Sequence, residues 1–150
     1  STTDGLTVWI LKKQSLFLGV IMLFYFSSSA QNNLQKIAFD FAKADTADFR
    51  VMVLQVKNVL KEAPGTIIEV VCYGPGLLML VADKTNVSKE MEEIQKTAPN
   101  VSFAACANTM RRMNIDKSRI LPFAKIVPVA ILELSSLQQQ GWSYIKAGFN

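Results

Sequence analysis

Few residues in this chain could do chemistry, and the most telling lie in "FAACANTMRRM", Phe103 to Met113. Cys106 follows a short apolar run and precedes Asn108, Thr109, Arg111 and Arg112. A strand running into a short helix would set the sulfur in the first helical turn, where unpaired N–H groups and the positive end of the helix dipole favour an anion. A thiolate is such an anion, and thiolate character is what makes a cysteine nucleophilic. Arg111 and Arg112 add positive charge nearby, although Arg111 stands more than a turn from the sulfur. Asn108 and Thr109 can cap the helix or hydrogen-bond a sulfur species, and capping is the simpler role. The competing reading makes Cys106 a small buried hydrophobe and the arginines a solvated face.

A second candidate is Gly74-Pro75-Gly76. After a strand, Gly74 and Gly76 either bring backbone close to a ligand or make a tight turn. Cys72, just before it, lies inside an apolar run and reads as a core thiol. The spacing from Cys72 to Cys106 matches no metal or redox motif, although an exported chain can pair two such cysteines. The absence of histidine removes the Ser-His-Asp triad, the Cys-His pair and histidine metal sites. No P-loop or GxGxxG fingerprint is present, so no nucleotide cofactor and no metal are expected. Glu92 and Glu93 sit among lysines and glutamates as solvated surface.

The elements that must position these residues alternate in type. "KIAFDF" (36–41), "TIIEVVCYG" (66–74), "VSFAAC" (101–106) and "AKIVPV" (124–129) read as strands. Helices are expected at 47–63, capped by Thr46 or Asp48 and stopped by Pro64-Gly65, and at 86–98, opened by Ser88. A short helix at 108–113 and a long one at 131–147, with Gly141 near its end or at a kink, complete the pattern. Such alternation predicts an α/β fold with a mainly parallel sheet of four to five strands and helices on both faces. In open sheets of this kind, chemistry gathers beyond the carboxyl ends of the strands. Gly74-Pro75-Gly76 and Cys106 would both lie there.

With 150 residues, one core domain is expected over 31–150. Residues 1–30 read separately: Lys12 and Lys13, the apolar run "SLFLGVIMLFYF", then Ser28 and Ala30 before a cut. This is the layout of a signal peptide, too short to span a bilayer comfortably, with a membrane anchor or a buried helix as the alternatives. The net charge of +4 comes from scattered lysines and arginines without interleaved aromatics, a solubility feature rather than a nucleic-acid site. Met110, Met113, Trp142 and Tyr144 belong either to the core or to an oligomer surface.

Four stretches taken together resemble the DsrE/DsrF-like family of small sulfur-relay proteins, in particular its exported members. They are "EVVCYGPGLLML" (69–80), "VSFAACANTMRRM" (101–113), "ILPFAKIVPVAILEL" (120–134) and "LQQQGWSYIK" (137–146), in family order. The resemblance implies flavodoxin-like layering of the DsrEFH kind, homo-oligomeric assembly, and sulfur carried as a cysteine persulfide between donor and acceptor proteins. Cys106 stands at the family's cysteine position. Tyr73 departs from the pattern, since many relatives have histidine before the Gly-Pro-Gly. The resulting expectation is a persulfide carrier or sulfurtransferase using Cys106, with Gly74, Gly76, Asn108, Thr109, Arg111 and Arg112 around the substrate. The alternative is an oligomeric binding module with an anion or partner site at the strand ends. Export, in a bacterium to the periplasm, is expected from the N-terminus, with membrane contact only if that segment stays uncleaved.

Overall fold

The computed structural model describes residues 3–26 and 34–148, with side chains for 3–14 and 34–148. The chain divides into an N-terminal unit ending at Asn33 and an α/β unit beginning at Leu34. In the first unit, helix α1 runs Thr3–Phe26. Within it, the Lys13 ammonium lies 3.9 Å from the Trp9 ring centre, a cation–π contact between residues one turn apart. The cleavage expected after Ala30 lies outside the described residues, as do the side chains of the apolar run.

The second unit contains β1 (Lys36–Phe41), α2 (Thr46–Glu62), β2 (Ile67–Cys72), a 3-10 segment (Gly74–Leu80), α3 (Ser88–Thr97), β3 (Val101–Cys106), α4 (Ala107–Arg112), β4 (Lys125–Val127), α5 (Ala130–Gln139) and β5 (Ser143–Lys146). The five strands form one sheet in the order β4-β3-β2-β1-β5. Every pairing is parallel, as crossover connections through helices require. The α/β fold expected from the alternation is therefore present.

Because side chains alternate across a strand, the sheet divides its apolar residues between two faces. Phe39, Phe41, Val70, Cys72, Phe103 and Ala105 join Phe49, Met52 and Val56 of α2 and Met91 and Ile94 of α3 in the larger core. Fully buried Phe41, Phe49 and Phe103 each contribute about 1.5–3 kcal/mol relative to exposure. Ala38, Val71, Ala104, Cys106 and Val127 face the other way, under Ala130, Leu134 and Leu137 of α5. The two cysteines therefore occupy opposite faces.

Two local expectations are corrected, while α3 opens at Ser88 as expected. The α2 cap is Asp45, whose carboxylate accepts from the Ala47 N–H at 2.8 Å; Thr46 and Asp48 are already helical. The helix expected over 131–147 ends at Gln139 and is followed by a strand. Gly141 takes φ +83°, the left-handed conformation that glycine tolerates best. The Trp142 N–H donates to Leu137 O at 3.1 Å and the Gly141 N–H to Gln138 O at 3.0 Å, the double bond of a Schellman ending. Freed from the helix, Ser143–Lys146 pairs with the open edge of β1.

Candidate functional site

Cys106 is the last residue of β3 and the N-cap of α4, with extended backbone (φ −74°, ψ 112°). Its Sγ accepts from the Ala130 N–H at 3.4 Å, so the sulfur meets the starts of two helices, α4 and α5. Burial alone would raise the thiol pKa. The Thr109 hydroxyl, followed by the backbone N–H groups of Thr109, Ala130 and Asn108, outweighs that effect and lowers the pKa below the ordinary cysteine value. The side chain is 3% exposed. Half-buried Tyr73 and Trp142 pack against the apolar cluster that contains it.

Thr109, buried in α4, accepts from the Gly74 N–H at 3.1 Å through Oγ1, which ties the loop after β2 to the cysteine helix. The glycines of that loop have distinct reasons to be glycine. Gly74 takes φ +50°, and a β-carbon on Gly76 would strike the Phe41 carbonyl oxygen and lie 2.8 Å from Ala42 Cα. Pro75, between them, stands in the first turn of the 3-10 segment, where its missing N–H costs no bond. The loop thus packs against the end of β1 and presents one N–H to the cysteine neighbourhood.

Cys72 is a different kind of thiol. Complete burial in the larger core pushes its pKa far up, keeping it neutral. Both cysteines are free, and the sheet stands between them.

The other expected residues divide. Asn108 is exposed and its Oδ1 accepts from Arg111 Nη2 at 3.4 Å, so its side chain caps nothing. Arg111 and Arg112 occupy the last turn of α4, exposed to solvent. Neither is among the groups that chiefly set the thiol pKa, so the charge assistance expected from them comes instead from Thr109 and backbone dipoles. Arg111 lines an open depression of about 500 Å³ with Asn114, Asp116 and Lys117. Met110 is core, Trp142 packs under α5, and Met113 and Tyr144 are exposed.

Sequence reasoning missed Ala130, whose contribution is a main-chain N–H and carries no side-chain signature. It also missed the group beside Tyr73. The buried Asp40 carboxylate accepts from the Tyr144 hydroxyl. Burial, and then the nearby Asp40 carboxylate, push the Tyr73 phenol up to about 12. At neutral pH Tyr73 is therefore a hydrogen-bond donor and cannot accept protons as a histidine would. Among the described residues, no group of three or more Cys, Asp or Glu side chains is placed to hold a metal ion.

A parallel α/β sheet with a thiol at a strand end, between two helix starts, defines the class of this domain. The DsrE/DsrF-like family model matches residues 20–147, and the chain belongs to that family. Among solved structures, a protein of unknown function from Methanobacterium thermoautotrophicum is similar at 26% identity with a TM-score of 0.69, covering 75% of this chain and 98% of its own. A conserved protein of unknown function from Bacteroides thetaiotaomicron, at 14% identity and TM-score 0.62, covers 79% of this chain and 99% of its own and shares the fold. No curated protein matches.

Proposed function

We propose that this protein is a sulfur carrier in which Cys106 accepts and passes on sulfane sulfur. The observation that carries the reading is the Cys106 sulfur itself, placed between the starts of α4 and α5 with its pKa lowered while that of Cys72 is raised. Membership in the DsrE/DsrF-like family supports it. In the loading step the Cys106 thiolate attacks the outer sulfur of a donor persulfide. The donor's S–S bond breaks, its thiolate leaves and takes the persulfide proton, and Cys106 becomes a persulfide anion with no net change of oxidation state. In the transfer step an acceptor thiolate attacks that outer sulfur and returns Cys106 as a thiolate. The Ala130 N–H, which donates to Sγ, together with the Thr109 hydroxyl and N–H, stabilises the thiolate form between transfers.

Cys106 is 3% exposed as a residue, and the half-buried Tyr73 and Trp142, packed against its apolar cluster, are the side chains whose movement would widen access to it. We further read the protein as exported and homo-oligomeric. Exposed Ile131 and Leu132 on α5 and the outer edge of β5, unpaired among the described residues, support assembly. Donor and acceptor are thiol proteins rather than nucleic acids.

Exposing the full chain to polysulfide and mapping the product by mass spectrometry tests the reading. One sulfur atom of added mass should appear on the Cys106 peptide and not on the Cys72 peptide, and Cys106→Ser should gain none. An equal gain in Cys106→Ser contradicts it. The burial of the sulfur favours one other reading, a binding module whose strand-end N–H groups take an anion while Cys106 only packs. Thermal stabilisation by thiosulfate that survives Cys106→Ser supports that module instead.

A further inference from the structure

On the α5 face of the sheet, Lys125 at the start of β4 places its Nζ 2.8 Å from Glu69 Oε2 on β2 and 3.1 Å from Glu133 Oε1 on α5. Glu69 is 3% exposed. Its Oε2 also accepts from the Ser102 hydroxyl at 3.4 Å, whereas Oε1 is buried without a partner among the described residues. A carboxylate in that position is costly unless a cation accompanies it, and Lys125 is that cation. The ion group lies outside the cysteine site and makes no contact with the sulfur.

Its place in the chain links it to the sulfur. Lys125 precedes Ala130 and Glu133 follows it in the first turn of α5, so the lysine closes a clasp across Pro128 and Val129, the turn joining β4 to α5. Apolar packing anchors both ends of that turn, since Val127 and Ala130 are buried in one cluster with Leu134 and Leu137, but it leaves the polar geometry of the turn to few contacts. Strand β4 is three residues long and, among the described residues, pairs with β3 alone. Helix α5 has no side-chain cap hydrogen bond among them. One further bond, from the Asn108 N–H to Pro128 O at 3.2 Å, ties the turn to α4. The Ala130 N–H that donates to Cys106 Sγ therefore issues from the middle of the clasped segment.

We propose that Lys125, bridging Glu69 and Glu133, is a positioning residue that fixes the β4–α5 turn against the sheet and so holds the Ala130 N–H on the Cys106 sulfur. The inference rests on the thiolate reading of Cys106 and deepens it. The N–H to sulfur bond of 3.4 Å depends on alignment as well as distance, because hydrogen bonds weaken steeply as the donor angle closes. An ammonium shared between a central strand and a helix start draws the two carboxylates, and the elements that carry them, toward one point. Asp40, Tyr73 and Tyr144 are further ionisable side chains on this face, gathered toward β1 and β5 and common to every variant below.

The test is the pH dependence of alkylation at Cys106, read peptide by peptide in the full chain, for the wild type, Lys125→Met, Lys125→Arg and Glu133→Ala. Lys125→Met and Glu133→Ala should move the Cys106 profile to higher pH, slowing its reaction near neutrality about tenfold, the equivalent of roughly one pKa unit. Lys125→Arg should restore the wild-type profile, since a guanidinium can bridge two carboxylates. Protection of Cys72 reports that a variant is folded. Where Lys125→Met exposes Cys72 because Glu69 is left unpaired, Glu133→Ala decides, as it keeps the Lys125–Glu69 pair. An unmoved Cys106 profile in folded Glu133→Ala overturns the proposal. A wild-type Cys106 with no thiolate character overturns the thiolate reading and the proposal together.

Discussion

The Gly74 N–H donates to Thr109 Oγ1 at 3.1 Å, joining the loop that follows β2 to the helix that follows β3. Because the threonine oxygen accepts from Gly74, its own proton remains free for the Cys106 sulfur. Each bond polarises the next, so the loop reinforces the hydroxyl that stabilises the thiolate. Neither Gly74 nor Thr109 is required to touch the reacting atom of a substrate. Their effect reaches it through Cys106.

Thr109→Val keeps the shape of the side chain and removes this chain of bonds. The Cys106 thiol should become less acidic, with alkylation near neutral pH falling about tenfold, and Thr109→Ser should retain most of the wild-type rate. Leaving the Gly74 N–H without its acceptor should also cost about 1–3 kcal/mol in urea unfolding. An unchanged alkylation rate in folded Thr109→Val would show that the hydroxyl does not serve the sulfur.

The two loop glycines should differ under substitution by alanine. Gly76→Ala drives a β-carbon into the Phe41 carbonyl, a backbone atom that cannot turn aside, and should destabilise by about 3 kcal/mol or more. Gly74→Ala meets no neighbour but strains a left-handed backbone, and about 1–2 kcal/mol is expected. Equilibrium urea unfolding of both variants checks the order; a Gly74→Ala variant less stable than Gly76→Ala would contradict the packing described.

The cysteines should leave opposite marks on stability against pH. Cys106 has a folded pKa below its unfolded value, so its contribution is complete above about pH 8.5 and is lost as pH falls through the lowered folded value. Cys72 has a raised folded pKa, so its contribution is complete below about pH 8.5 and is lost as pH rises beyond it. Relative to Cys106→Ala, the wild type should gain stability as pH climbs toward that value. Relative to Cys72→Ala, it should lose stability above it. Urea unfolding across this range reads both differences, and parallel curves for all three proteins would refute the assignment.

Much of this architecture was legible because strand patterns here are continuous and well bounded. The ranges expected for β1 and β3, 36–41 and 101–106, are those the structure shows. The strand at 143–146 was not legible, since "LQQQGWSYIKA" offers helical spacing on both sides of Gly141. The decision falls to a left-handed turn at that glycine and to an unpaired edge of β1 far away in sequence. The same limit applies at the site. Cys106 and its strand-to-helix position follow from local sequence, whereas the Ala130 N–H arrives from an element 24 residues away and belongs to the backbone. Arg111 and Arg112 drew notice by their charge, yet dipoles closer to the sulfur matter more.

The lowered pKa of the Cys106 thiol is open to direct measurement through the rate of alkylation against pH for the full chain, resolved at Cys106 and Cys72 separately. Cys106 should titrate below the ordinary thiol value of about 8.5 while Cys72 stays protected throughout. A Cys106 that reacts only when the protein unfolds, in step with Cys72, would contradict it.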